Sequence, residues 1–86
     1  EAVSQLLVTA AARLEAAYNA YRSGADVDAR EQLQLAVGAL ERADLSATAG
    51  LVVELAGVRS QIHKREALEQ LAGLCASWAH QREVTT

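Results

Sequence analysis

The sequence contains no proline, phenylalanine or methionine, and among its 86 residues only one cysteine, one tryptophan, two tyrosines and one lysine. Each shortage excludes something. Without proline, no segment carries a built-in helix breaker that removes a backbone donor. One cysteine rules out an intrachain disulfide framework and fits a reducing compartment, so a cytoplasmic location is expected. No apolar run approaches the roughly 20 residues of a spanning helix, and no basic stretch leads into a cleavable apolar segment. A membrane partner is therefore not expected. The missing methionine leads us to expect a natural start upstream of Glu1, in a longer parent chain.

What remains is an alanine- and leucine-rich composition, 51% hydrophobic and 22% charged, which reads as one folded all-α domain. With so few aromatics the core is thin, and a chain this short is expected to complete its bundle by oligomerisation. The net charge of −3 is unevenly spread: residues 1 to 44 hold seven acids and four arginines, whereas residues 45 to 86 hold four of each sign. Neither half is a basic nucleic-acid surface.

Periodicity gives the elements. Val3, Leu7, Ala10, Leu14, Ala17 and Tyr21 step by four and three along one face, predicting a first helix over about 2–22. Leu6, Ala11 and Tyr18 flank that seam. Gly24 can adopt the left-handed conformation that closes a helix. Asp26 and Asp28 are candidate N-caps, and Asp28 with Glu31 resembles a capping box. A second helix follows over about 27–43, with Ala29, Leu33, Ala36, Val37 and Leu40 inward and Leu35 and Ala39 to one side. The short connection predicts an antiparallel hairpin. Asp44, Ser46 and Thr48 are candidate caps of a third helix over about 46–82.

That third helix is long or broken near residue 63, because its apolar pattern slips there. Leu51, Leu55, Val58 and Ile62 form one stripe, and Leu68, Leu71, Leu74, Cys75 and Trp78 form another about half a turn away. The first stripe is expected to close onto the earlier half of the chain. The second is expected to dock a partner, with Trp78 as its anchor.

Gly24, Ala29, Leu33 and Ala36 recur at a spacing similar to the turn and second helix of a tetratricopeptide repeat, over about one third of the chain. Arg13, Ala16, Ala17 and Ala20 stand where that repeat has its Trp, Leu, Gly and Tyr, and Glu41 stands where its closing Pro would be. The resemblance implies a helical hairpin and not membership of the repeat family.

No cofactor, metal or catalytic site is expected. His63, Glu66, Glu69, Cys75 and His80 are the nearest thing to a ligand set, but Cys75 and His80 point about 140° apart on a helix. Cys75 lies in an apolar stripe, where a thiol is inert. His63-Lys64-Arg65 is followed by Glu66 and Glu69 and reads as a solvated polar collar. The function expected is therefore a protein-protein interaction module, a small adaptor, chaperone or dimerisation domain that binds itself or another helical protein. The alternative is an acidic regulatory binder of the antitoxin or inhibitor type, using Asp26, Asp28, Glu31, Glu41 and Asp44. An enzyme subunit with a shared site is a remote third reading.

Overall fold

Four helices, α1 (Val3–Arg22), α2 (Asp26–Arg42), α3 (Ser46–Ala56) and α4 (Gln61–Thr85), make up the computed structural model, which describes residues 2–85. Among the described residues there is no strand. The α1 seam behaves as its spacing predicts: Leu7, Ala10, Leu14, Ala17 and Tyr21 are buried, with Leu6 beside them. α1 packs along its length against both α2 and α4, whereas α3 packs mainly on α2 and touches α4 lightly. The result is a rod of 39 × 18 × 18 Å, about the length of a 25-residue helix at roughly 1.5 Å per residue.

Two connections of identical design set this arrangement. After α1, the Gly24 N–H donates to the Tyr21 carbonyl and the Ala25 N–H to the Ala20 carbonyl. After α2, the Asp44 N–H donates to the Glu41 carbonyl and the Leu45 N–H to the Leu40 carbonyl. Each pair is a Schellman closure, which requires a left-handed residue at its first donor. Gly24 has φ 80° and Asp44 has φ 63°. The next helix begins at once, since the Ala25 carbonyl accepts from Ala29 and the Leu45 carbonyl from Ala49.

All five capping candidates are corrected by this geometry, since Leu45 and not Ser46 or Thr48 is the N-cap of α3, without a side-chain bond. Ala25, not Asp26 or Asp28, occupies the N-cap of α2, and no side-chain cap bond forms there. Both aspartates lie in the first turn instead, where they favour the helix dipole. Asp44 closes α2 rather than capping α3. The closure hands the chain directly to the next helix, so no position remains for an Asx cap.

A further correction concerns the expected helix over 46–82, which is two helices separated at residues 57–60, upstream of the anticipated slip. Gly57 and Val58 end α3 with N–H bonds to the Glu54 and Leu55 carbonyls. Ser60 starts α4: its Oγ accepts from the His63 N–H at 3.4 Å and its carbonyl accepts from Lys64. Residues 61–66 open α4 rather than bridge two segments.

α4 then lies along α1 and covers the face of the first helix that α2 leaves open. Among the described residues, Lys64, Leu68, Cys75 and Ala79 of α4 are buried. Lys64 thus departs from the solvated collar. Its Nζ sits 4.6 Å from the centroid of the Tyr21 ring, joining the start of α4 to the end of α1 by a cation–π contact. α3 also turns differently from its expected stripe. Ala49 and Val52 are buried and Leu45 and Ala56 half-buried, a four-three-four spacing of mostly smaller residues, while Leu51 and Ile62 are exposed. The Leu45 closure fixes the rotation of α3 so that Ala49 enters the core. On α2, Ala39 is buried and Leu35 exposed.

The two closures predict opposite effects of glycine exchange. Asp44→Gly relieves left-handed strain and is expected to stabilise by about 0.5–1 kcal/mol, whereas Gly24→Ala is expected to cost about 1–2 kcal/mol. A Cβ on Gly24 would meet nothing within 4 Å, so that cost is purely conformational. Thermal unfolding of the two variants checks both signs, and two shifts of the same sign would contradict the shared closure.

Candidate functional site

The five stripe residues, now on α4, separate into three groups. Leu68 and Cys75 are fully buried in the core of this chain, and Leu71 and Trp78 are half-buried against it. Leu74 is 47% exposed. The five therefore do not form one free face, because α1 claims the side of α4 that carries Leu68 and Cys75. Trp78 lines a cleft of about 410 Å³ at the base of the rod with Leu7, Leu45, Gln81 and Arg82. It joins the start of α1 to the α2–α3 connection.

Leu71 and Leu74 face a different neighbour. With Ala67 and Gln70 they form one wall of an open groove of about 300 Å³, and Leu51, Glu54, Leu55 and Val58 form the other. The two stripes expected to serve separate partners meet here. α3 and α4 are only lightly packed, and the break at 57–60 sets them side by side without closing the space between them. Leu51 is 52% exposed, so both walls present a leucine to solvent. The groove spans about two helical turns, from Leu51 to Val58 on α3 and from Leu74 to Ala67 on α4.

Sequence reasoning assigned Leu51, Leu55 and Val58 to the core; Leu55 is half-buried against it and Val58 half-buried, whereas Leu51 is exposed and was missed as surface. The signal was present in the four-three-four run Leu45, Ala49, Val52, Ala56, which competes with the leucine stripe for the inward face. Gly57 and Ser60, three residues apart and followed by His63, were the sign of the break.

Other clefts have different chemistry. Leu33, Val37, Val52, Val53 and Ala56 line a groove between α2 and α3 with Arg30 at its edge. Along α1 and α4 a trough of about 480 Å³, lined by Val8, Tyr18 and Asn19 beside the small residues Ala11, Ala12, Ala72, Gly73 and Ala76, carries Glu15 and Glu69. The carboxylates of the first half do not come together. Asp26, Asp28 and Glu31 stand at the start of α2, and Glu41 and Asp44 at its end, about 20 Å away at 1.5 Å per residue.

Polar chemistry is sparse. Among the described residues, no group of three or more His, Cys, Asp or Glu side chains converges as a metal site, and no helix is long and apolar enough to cross a membrane. The Tyr21 hydroxyl is buried without a hydrogen-bond partner. Burial raises its pKa above the usual phenol value, offset in part by Arg30 and reinforced by Asp26. Burial likewise pushes the Cys75 thiol up, since an apolar surrounding disfavours the thiolate. Comparison with protein-family models, with curated proteins and with solved structures gives no match. The site accordingly rests on geometry alone.

Two measurements test this division. Leu68→Ala is expected to cost about 2–5 kcal/mol, the usual range for a buried leucine, whereas Leu74→Ala should change unfolding free energy by less than about 1 kcal/mol. For Cys75, alkylation by iodoacetamide should stay slow in the folded protein up to about pH 8.5, where a free thiol is half ionised, and become fast in denaturant. Because the folded pKa is raised, the thiol's contribution to stability is complete below the unfolded pKa and is lost as pH rises through the folded value. Rapid alkylation of the native protein at neutral pH would contradict its burial.

Proposed function

We propose that this chain is a protein-protein interaction module that receives an apolar helix in the groove between α3 and α4. The observation that carries this reading is the pairing of exposed Leu51 and Leu74 across a floor of Leu55, Val58, Ala67 and Leu71. Such a floor between two helices suits the helix-in-groove mode, in which a partner inserts side chains at i, i+3 or i+4, and i+7. Adaptor, chaperone and dimerisation roles all use this kind of contact, and the sequence-level choice of Leu71 and Leu74 as docking residues carries over. Leu68 and Cys75 support the floor from behind, and Trp78 braces the base of the rod.

In this reading α1 takes up Leu68 and Cys75 from the stripe that was expected to dock a partner, which leaves the groove as the surface that needs one. The acidic regulatory alternative gains no support from carboxylates divided between the two ends of α2.

The test is a synthetic three-turn peptide with leucines at i, i+4 and i+7 on a neutral Gln and Ala background. Titrated into methyl-labelled protein, it is expected to bind saturably and to shift the methyl resonances of Leu51, Leu55, Leu71 and Leu74. Leu74→Glu should abolish those shifts while leaving the thermal midpoint within a few degrees. Binding that moves Leu35 or Val53 instead, or no binding at all, would overturn the proposal.

A further inference from the structure

The proposed docking site carries a charge pattern that its apolar floor does not require. Glu54 lines the α3 wall and is exposed. On the opposite wall Gln70 forms the outer edge, and it is shared with an adjoining shallow recess that contains Glu66 and Glu69. Glu66 and Gln70 are one turn apart and lie on the same ridge of α4. Both lips of the groove are therefore acidic or neutral, and no basic side chain is among its lining residues.

The bases of this end stand elsewhere. Lys64 is buried over the Tyr21 ring. Arg65 is half-buried and lies about 140° around α4 from Gln70. Arg59 is in the connection between α3 and α4, and His63 is two turns above Gln70 on the same face, both beyond the lining of the groove. By contrast, Arg30 lines the α2–α3 groove and Arg82 lines the basal cleft.

We propose that the occupant of the α3–α4 groove is an amphipathic helix whose apolar stripe is flanked by lysine or arginine, held by leucine burial in the floor, by Glu54 at the α3 lip and by Glu66 in the adjoining recess one turn from Gln70. This rests on the helix-docking reading above and adds the partner's chemistry to it. The same carboxylates disfavour a second copy of this chain. A twofold contact over the groove would bring Glu54 and Glu66 from both copies to one seam, four like charges around an apolar patch only about two turns long, and like-charge juxtaposition at an interface is costly. A basic-flanked helix meets the two apolar walls, the Glu54 lip and the adjoining Glu66 with complementary groups.

The experiment compares three peptides with an identical leucine stripe, flanked by lysines, by glutamates or by neutral glutamines, by fluorescence anisotropy against the wild type, Glu54→Gln/Glu66→Gln and Leu51→Glu/Leu74→Glu. The lysine-flanked peptide is expected to bind at least about tenfold more tightly than the glutamate-flanked one at low salt, with the ratio collapsing toward one near 0.5 M salt, where the Debye length is only a few ångströms. Glu54→Gln/Glu66→Gln should remove most of that preference and leave binding of the neutral-flanked peptide unchanged. Equal affinity for both peptides, or a preference that survives the glutamine variant, overturns the charge assignment while the docking reading stands. Failure of every peptide, the neutral one included, overturns both. A wild-type dimer in light scattering that dissociates in Leu51→Glu/Leu74→Glu would give the groove to a second copy and overturn the basic-helix assignment.

Discussion

The whole arrangement depends on α1 being apolar enough to be covered on two sides. Its seam alternates large and small side chains, Leu7, Ala10, Leu14, Ala17 and Tyr21, all buried. The alanines let neighbouring helices approach, and the leucines fill the spaces between them. α2 supplies Ala29, Leu33, Ala36 and Leu40 from one side, and α4 supplies Leu68, Cys75 and Ala79 from the other. Nothing comparable holds α3. It buries only Ala49 and Val52, packs chiefly on α2, and meets α4 along a loose edge. The open groove follows from that imbalance: α1 takes the best packing face of α4, and α3 is left beside a face that it covers incompletely.

Where the sequence was legible, the cause was redundancy of signals. For α1 the spacing, the closing Gly24 and the polar remainder all agree, and the helix ends where Gly24 requires. For α3 and α4 they conflict. The largest apolar residues, Leu51, Leu55, Val58 and Ile62, make a convincing stripe, yet the inward face is the quieter series through Ala49 and Val52. Side-chain size misleads here because rotation about the helix axis is inherited from the preceding closure, and Leu45 commits the chain before Leu51 is reached. Asp44 misled for a related reason. Aspartate is a common N-cap, and only the backbone hydrogen bonds of both neighbouring helices reveal that it serves as a left-handed C-terminal residue.

The residues of the proposed docking groove were half legible. Leu71 and Leu74 belonged to a stripe that could be read as surface, and they are the members that face α3. Leu68 and Cys75 shared that stripe because positions three and four apart lie within one broad face of a helix. A broad face can serve two neighbours at once. On α4 its inner edge meets α1 and its outer edge meets the groove, so a single apolar stripe supplies both core and candidate interface.

That division explains why charge, rather than apolar area, is the informative property of the groove. Leucine walls would accept many partners, since burial of apolar area is non-directional. Glu54 and Glu66 lie outside the core that holds the helices together, so the fold places no evident demand on their sign. A carboxylate at such a position adds little to stability. At the lips of a groove it acts instead on choice of partner, through attraction to one sign and repulsion of the other. On the proposed reading, selectivity is separable from stability: the core fixes where α3 and α4 stand, and two exposed side chains would bias which helix lies between them.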